Sequence, residues 1–192
     1  MKDKIIRLPD ETKVYNRKQF EQLLSGKQKI SKDIVLIKDV ILALFSTQSD
    51  KPIYGRTMLM KQVFLIFEEI LKKQNIDFQD PNFVPYYYGP YSFLVTDIIE
   101  NLEFEGHITI TGKKNTNKEA FTITKQGIEK SNKIHSLRSK KIMDEIKEKR
   151  VGWDELGTSG ILKYVYHYYP KFKDKSKIKE RYKEITWGRG RG

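Results

Sequence analysis

Hydrophobic positions along this chain fall into blocks of two different periods. From Asp33 the run DIVLIKDVILALF is apolar almost all round, which predicts a buried helix ending near Ser46. The segment SDKPIYG, with Pro52 and Gly55, predicts a turn. Between Arg56 and Lys73, residues Met60, Val63, Phe64, Phe67, Ile70 and Leu71 recur at helical spacing, so a second helix is expected there. Gln62, Glu69 and Lys73 mark its outer side. NIDFQDPNFVPYYYG reads as a loop with some extended character, broken by Pro81 and Pro85. A third helix follows Gly89. Pro90 fits its first position, where a missing N–H costs nothing. It runs to about Glu105, and Gly106 closes it.

The period then drops to two. HITIT and AFTIT alternate apolar and polar residues, with the polar, basic stretch GKKNTNKE between them, and predict a β-hairpin with an extended tip. Thr124 can cap a following helix with Gly127 in its first turn. That helix is expected to run, long and polar, toward Arg150. Its apolar residues Ile128, Ile134, Leu137, Ile142, Met143 and Ile146 are sparse and drift around the axis. VGWDELGTSGILKYVYHYYP predicts one or two short helices ending at Pro170.

Three helices followed by a two-stranded hairpin is the order of a winged helix. The expected fold class is α+β: mostly α with a small β-hairpin wing. A winged helix-turn-helix core occupies residues 31–126. A basic arm or peripheral helix precedes it at 1–30, where Asn16 can cap a short helix over Phe20, Leu23 and Leu24. A helical extension follows at 127–180, and a basic Gly/Arg tail, expected to be flexible, at 181–192.

Composition narrows the function classes. The 192 residues suit one domain with an extension, and an apolar fraction of 38% suffices for a core. No run approaches the roughly 18 apolar residues of a membrane span, and the first ten residues do not resemble a secretory signal. Cysteine is absent, so disulfides and thiolate metal sites are excluded and a cytoplasmic setting is expected. The formal charge is +12, unevenly spread. Residues 1–100 carry 15 basic and 13 acidic side chains, whereas residues 101–192 carry 22 and 12. Such asymmetry points to a polyanion, most simply duplex DNA, with a merely solvated lysine surface as the alternative.

The third helix is a poor major-groove reader. On a helical wheel, Leu94, Val95, Ile98, Ile99 and Leu102 form the core arc. Phe93, Thr96, Asp97, Glu100, Glu103 and Phe104 face outward, without a lysine or arginine among them. Phosphates repel such a face. Phe93, Asp97, Glu100, Glu103 and Phe104 therefore form a candidate protein-contact surface. Candidate nucleic-acid contacts are Arg56, then Tyr91 and Ser92 in the expected first turn of this helix, and Lys113, Lys114, Asn115, Asn117 and Lys118 at the hairpin tip. Tyr91 is expected on the core side near Ile98 and Leu102. The block YYYGPYS is either a structural corner or a stacking platform for bases. The lysines from Lys171 to Lys183, with Arg189 and Arg191, suit unspecific nucleic-acid contact or simple solvation.

The stretches GRTMLMKQVFLIFEE, YYYGPYSFLVTDIIENLEFEGHI, FTITKQG and ILKYVYHYYPKF resemble the YwgA-like proteins, over about three quarters of the chain. More distantly they resemble the Panacea (SocA-like) antitoxin domain. The resemblance implies a winged-helix domain extended by helices. It implies little chemistry, although Panacea domains imply neutralisation of a toxin by protein contact.

Enzyme readings have little to stand on. His107, His135 and His167 show no ligand spacing, and no phosphate loop, nucleophile elbow or dinucleotide fingerprint occurs. No catalytic residue, metal site or cofactor is expected. Two readings remain: a DNA-binding regulator, or a protein-interaction module of the antitoxin or adaptor kind. The helix after the hairpin also offers a contact for a homodimer.

Overall fold

Val35 is drawn into backbone pairing before the first helix begins. In the computed structural model, which describes residues 34–134, 137 and 139–173, Val35 forms an isolated parallel bridge with Phe78. Its N–H and C=O bond to Asp77 and Gln79, both at 2.9 Å. Helix α1 therefore spans Ile37–Ser46 and starts later than the apolar run suggests. Its apolar residues are buried on every side, as expected of a central helix.

Strand β1, Ile53–Tyr54, leads through Gly55 into α2, Arg56–Leu65. This helix continues in wider, π-helical turns over Ile66–Leu71. Gln62 and Glu69 do not mark an outer side: both are buried. A later helix covers that face of α2 and satisfies it with polar groups. Gln62 donates to Asp154 at 2.6 Å, and Glu69 accepts from Lys149 at 3.0 Å and from Tyr164 at 2.8 Å. Burial and the neighbouring Glu69 push the Tyr164 and Tyr169 phenols up.

The segment before the third helix is also more ordered than a loop. Strands β2, Val84–Tyr86, and β3, Gly89–Tyr91, form an antiparallel hairpin turning on Tyr87 and Tyr88. Pro85 faces Pro90 across it. Neither residue has an N–H, so the pair occupies a position that exchanges no ladder bonds and the prolines cost the hairpin nothing. Pro90 thus belongs to a strand and does not open the helix. Helix α3 spans Phe93–Phe104, with Ser92 as its N-cap: the Ser92 hydroxyl accepts from the Val95 N–H at 3.0 Å. Val95, Ile99 and Leu102 are buried and Leu94 and Ile98 half-buried, so the core arc falls as the wheel places it.

Strands β4, Ile108–Thr111, and β5, Ala120–Ile123, pair antiparallel as expected, and β1 adds to β5. The sheet order is β1-β5-β4. Thr124 caps α4, Lys125–Ser131, by accepting from the Gly127 N–H. A Cβ at Gly127 would lie 2.1 Å from the His107 carbonyl oxygen, so only glycine lets α4 pack there.

Beyond Ser131 the structure departs from the single long helix expected. Helix α5 spans Lys140–Tyr168, running through the boundary expected at Arg150, and kinks at Gly157 (φ 62°). The drifting apolar stripe is the cause: Ile128 belongs to one helix, and Ile142 and Ile146 to another that crosses α1 and α2. A short 3₁₀ turn, Pro170–Phe172, follows. The fold is mixed α/β, mostly helical with a small antiparallel sheet. Among the described residues no helix is long and apolar enough to cross a membrane. The expectations for residues 1–33, His135 and the tail from residue 174 lie outside the described residues.

Candidate interaction face and tyrosine-lined cleft

Glu119, just before β5, organises the surroundings of both candidate surfaces. Its side chain is fully buried. One carboxylate oxygen accepts from Arg56 Nε at 2.9 Å, the other from the Asn115 N–H at 2.8 Å. Its carbonyl accepts from the Gly55 N–H at 2.7 Å. One residue thereby ties the hairpin tip to the start of α2. Arg56 also reaches Glu100 on α3 at 3.4 Å, and Lys114 donates to the same carboxylate at 2.9 Å. The hydrogen bond from Lys114, with the nearby positive charges, holds the Glu100 carboxyl below its ordinary range.

The sequence-predicted residues therefore divide. Arg56 and Lys114 are committed to carboxylates within the chain. Ser92 is fully buried, and its hydroxyl also donates to the Pro81 carbonyl, so it cannot touch a nucleic acid. Tyr91 is not on α3. It sits in β3, half-buried, with its ring 5.0 Å from both Tyr86 and Phe93 and its hydroxyl accepting from Thr96 at 2.9 Å. Lys113, Asn115, Asn117 and Lys118 are exposed on the hairpin tip. On α3, Phe93 is 57% and Phe104 93% exposed, and Asp97, Glu100 and Glu103 share that outer surface.

A feature not foreseen lies beside them. A cleft of about 370 Å³ opens between the start of α2, the β2–β3 turn and the β4–β5 tip. Gly55, Arg56, Thr57 and Lys61 form one wall. Tyr86, Tyr87, Tyr88 and Tyr91 form the second, and Asn115, Thr116 and Asn117 the third. Tyr86 and Tyr87 stack with centroids 4.3 Å apart. Lys61 is 2% exposed, and its ammonium donates to the Pro90 carbonyl at 2.7 Å. Burial pushes its pKa down to about 7. Gly89 makes this packing possible: a Cβ there would lie 3.0 Å from the Tyr166 ring and 3.5 Å from Lys61 Cε, and its φ of 86° suits glycine alone. Nothing along α2 singles out Lys61 in the sequence, because its burial depends on the packing of β3 against the helix.

Lys61 makes stability depend on pH. Its folded pKa lies below the unfolded value, so between about pH 7 and pH 10.5 the unfolded chain binds more protons, and this group's contribution rises with pH. Below about pH 7 both states are charged and the burial penalty is complete. Urea unfolding of the wild type and of Lys61→Met should show the variant's advantage shrinking as pH rises from 7 to 9, by at most about 1.4 kcal/mol per unit. A difference independent of pH would contradict the assignment.

His107 is buried at the start of β4, and His167 is exposed on α5 against Tyr168. Among the described residues, no three His, Asp or Glu side chains are placed to hold a metal ion. Compared with protein-family models and with curated proteins, the chain matches none.

Proposed function

We propose that this chain is a non-enzymatic winged-helix module that recognises a protein partner through the outer face of α3. The order α1-β1-α2-α3-β4-β5, with sheet order β1-β5-β4, supports the winged-helix reading. In it α3 takes the reader's position, β4–β5 is the wing, and β2–β3 is an insertion. The observation that carries the proposal is the character of α3. Its surface offers Phe93 and Phe104 between Asp97, Glu100 and Glu103, while Glu100 neutralises Lys114 of the wing. Such a face suits a basic protein surface with an apolar recess and repels a phosphate-lined groove. The distant resemblance to Panacea domains in the sequence implies the same kind of contact.

The test compares the full chain with a Phe93→Ala/Phe104→Ala/Glu103→Lys variant. A protein captured by the wild type is purified and titrated against both. Binding weaker by about a hundredfold in the variant is expected, since exposed aromatic anchors carry most of such energy. Equal affinity would overturn the proposal.

A second reading, duplex DNA association, is supported by charge. Residues 1–33 carry 9 basic and 5 acidic side chains, and residues 174–192 carry 7 and 3, so +8 of the chain's +12 lies outside residues 34–173. Lys113 and Lys118 are exposed at the wing tip. On this reading, duplex affinity falls steeply with salt, and Lys113→Ala/Lys118→Ala lowers the slope of log K against log salt by about 2. An unchanged slope would remove the wing from that reading.

A further inference from the structure

We propose that the cleft between α2, the β2–β3 turn and the β4–β5 tip binds one nucleoside 5′-phosphate unit, with its base on Tyr87 and Tyr88 and its phosphate at Lys61. Apart from Phe93, which backs the tyrosine stack, the site uses none of the α3 contacts, and it is tested separately from the partner reading.

Size comes first. A cleft of about 370 Å³ falls within the range of small-ligand sites, roughly 300–1,000 Å³, and toward the end that a single nucleotide fills. Charge comes second. Lys61 lies at the wall of the cleft with a backbone carbonyl as its hydrogen-bond acceptor, and no carboxylate pairs with it among the described residues. An ammonium has three donors, so two remain for a ligand. A buried lysine without a counter-ion is costly, and an anion supplied from solution offsets that cost. The first turn of α2 borders the same space, has no acidic side chain and no capping side chain, and adds its backbone N–H groups. Arg56 brings no comparable demand, because Glu119 and Glu100 already neutralise it.

The aromatic wall selects the rest of the ligand. Tyr87, Tyr86 and Tyr91 form a continuous stack that ends against Phe93. Tyr87 is 43% exposed, and its neighbour Tyr88 in the turn 47%. A ring propped by its neighbours is held in place, and an exposed aromatic face so held suits a planar base. Asn115 and Asn117, both exposed, also line the cleft, and their amides carry the donor and acceptor pair that matches a base edge. Because a bound phosphate favours charged Lys61, binding above pH 7 takes up a proton.

The experiment is calorimetric titration of the full chain at pH 7.5 and low salt. The probes are adenosine 5′-monophosphate, adenosine, inorganic phosphate, and an oligodeoxyadenylate with and without a 5′-phosphate. The monophosphate should bind at least about tenfold more tightly than adenosine or phosphate alone, with heats that vary with the buffer's ionisation enthalpy. Lys61→Met and the surface change Tyr87→Ala should each weaken it by about tenfold or more. If the phosphorylated strand outbinds the free nucleotide, the unit recognised is a strand end; if not, it is a free nucleotide. Either result supports the site. No binding of any phosphorylated probe at millimolar concentration, equal affinity for adenosine and its monophosphate, or unchanged binding in both variants would overturn it.

Discussion

Arg150→Met is expected to lower the free energy of unfolding by about 3–5 kcal/mol, the usual result of breaking a buried hydrogen-bond network. Arg150 is fully buried although it lies in the middle of a charged helix. Its guanidinium donates to the carbonyls of Leu44 and Phe45 at 2.8 and 3.1 Å, and to that of Lys51 at 2.7 Å. The first two belong to the last turn of α1, whose carbonyls have no partner within the helix. The Thr47 hydroxyl already serves Leu44. Methionine would therefore strand mainly the Phe45 and Lys51 carbonyls, at about 1–3 kcal/mol each. Arg150→Lys should fall between, because an ammonium cannot span the same three acceptors. Denaturant unfolding with an unchanged slope checks the result. A loss below about 1 kcal/mol for the methionine variant would show that α1 does not depend on this cap.

The same residue marks the limit of what periodicity can read. Ile142, Ile146 and Trp153 are buried on one face of α5, and Arg150 falls on that face between them. Charge alone would place it outside, whereas the four-residue step from Ile146 would place it inside. The step is the better guide because backbone carbonyls of α1 wait there. Gln62 and Glu69 misled for a similar reason: a polar side chain marks solvent only when no other polar element covers it, and pairing between α2 and α5 is invisible along one segment. Pro90 misled because it suits a helix start and an unbonded strand pair equally. The hairpin strands, the Thr124 cap and the core arc of α3 were readable because each rests on local chemistry. The cleft was not, since its walls come from residues near positions 56, 87 and 116, and only the folded chain joins them.

Arg56→Met should cost about 3–5 kcal/mol, and Glu119→Gln only about 1–2, although the two residues form one ion pair. The asymmetry follows from burial. The Glu119 side chain is 0% exposed, that of Arg56 17%. Without Arg56, a carboxylate remains in the interior with only the Asn115 N–H, at 2.8 Å, as a donor among the described residues, far short of what a buried charge requires. Without the Glu119 charge, Arg56 can turn to Glu100 or to water, and a glutamine oxygen still accepts from Asn115. The double variant should therefore be more stable than Arg56→Met alone, a coupling that independent sites do not show. Hydrogen exchange at the Asn115 amide locates the effect: protection should fall in Arg56→Met and persist in Glu119→Gln. Equal losses for the two single variants would mean that the pair is held by packing and not by charge. Because Arg56, through Glu119, anchors the β4–β5 tip, a loss of DNA or nucleotide binding in its variants would report a displaced hairpin tip. The contacts themselves are better probed at Lys113 and Lys118, which are exposed at the β4–β5 tip.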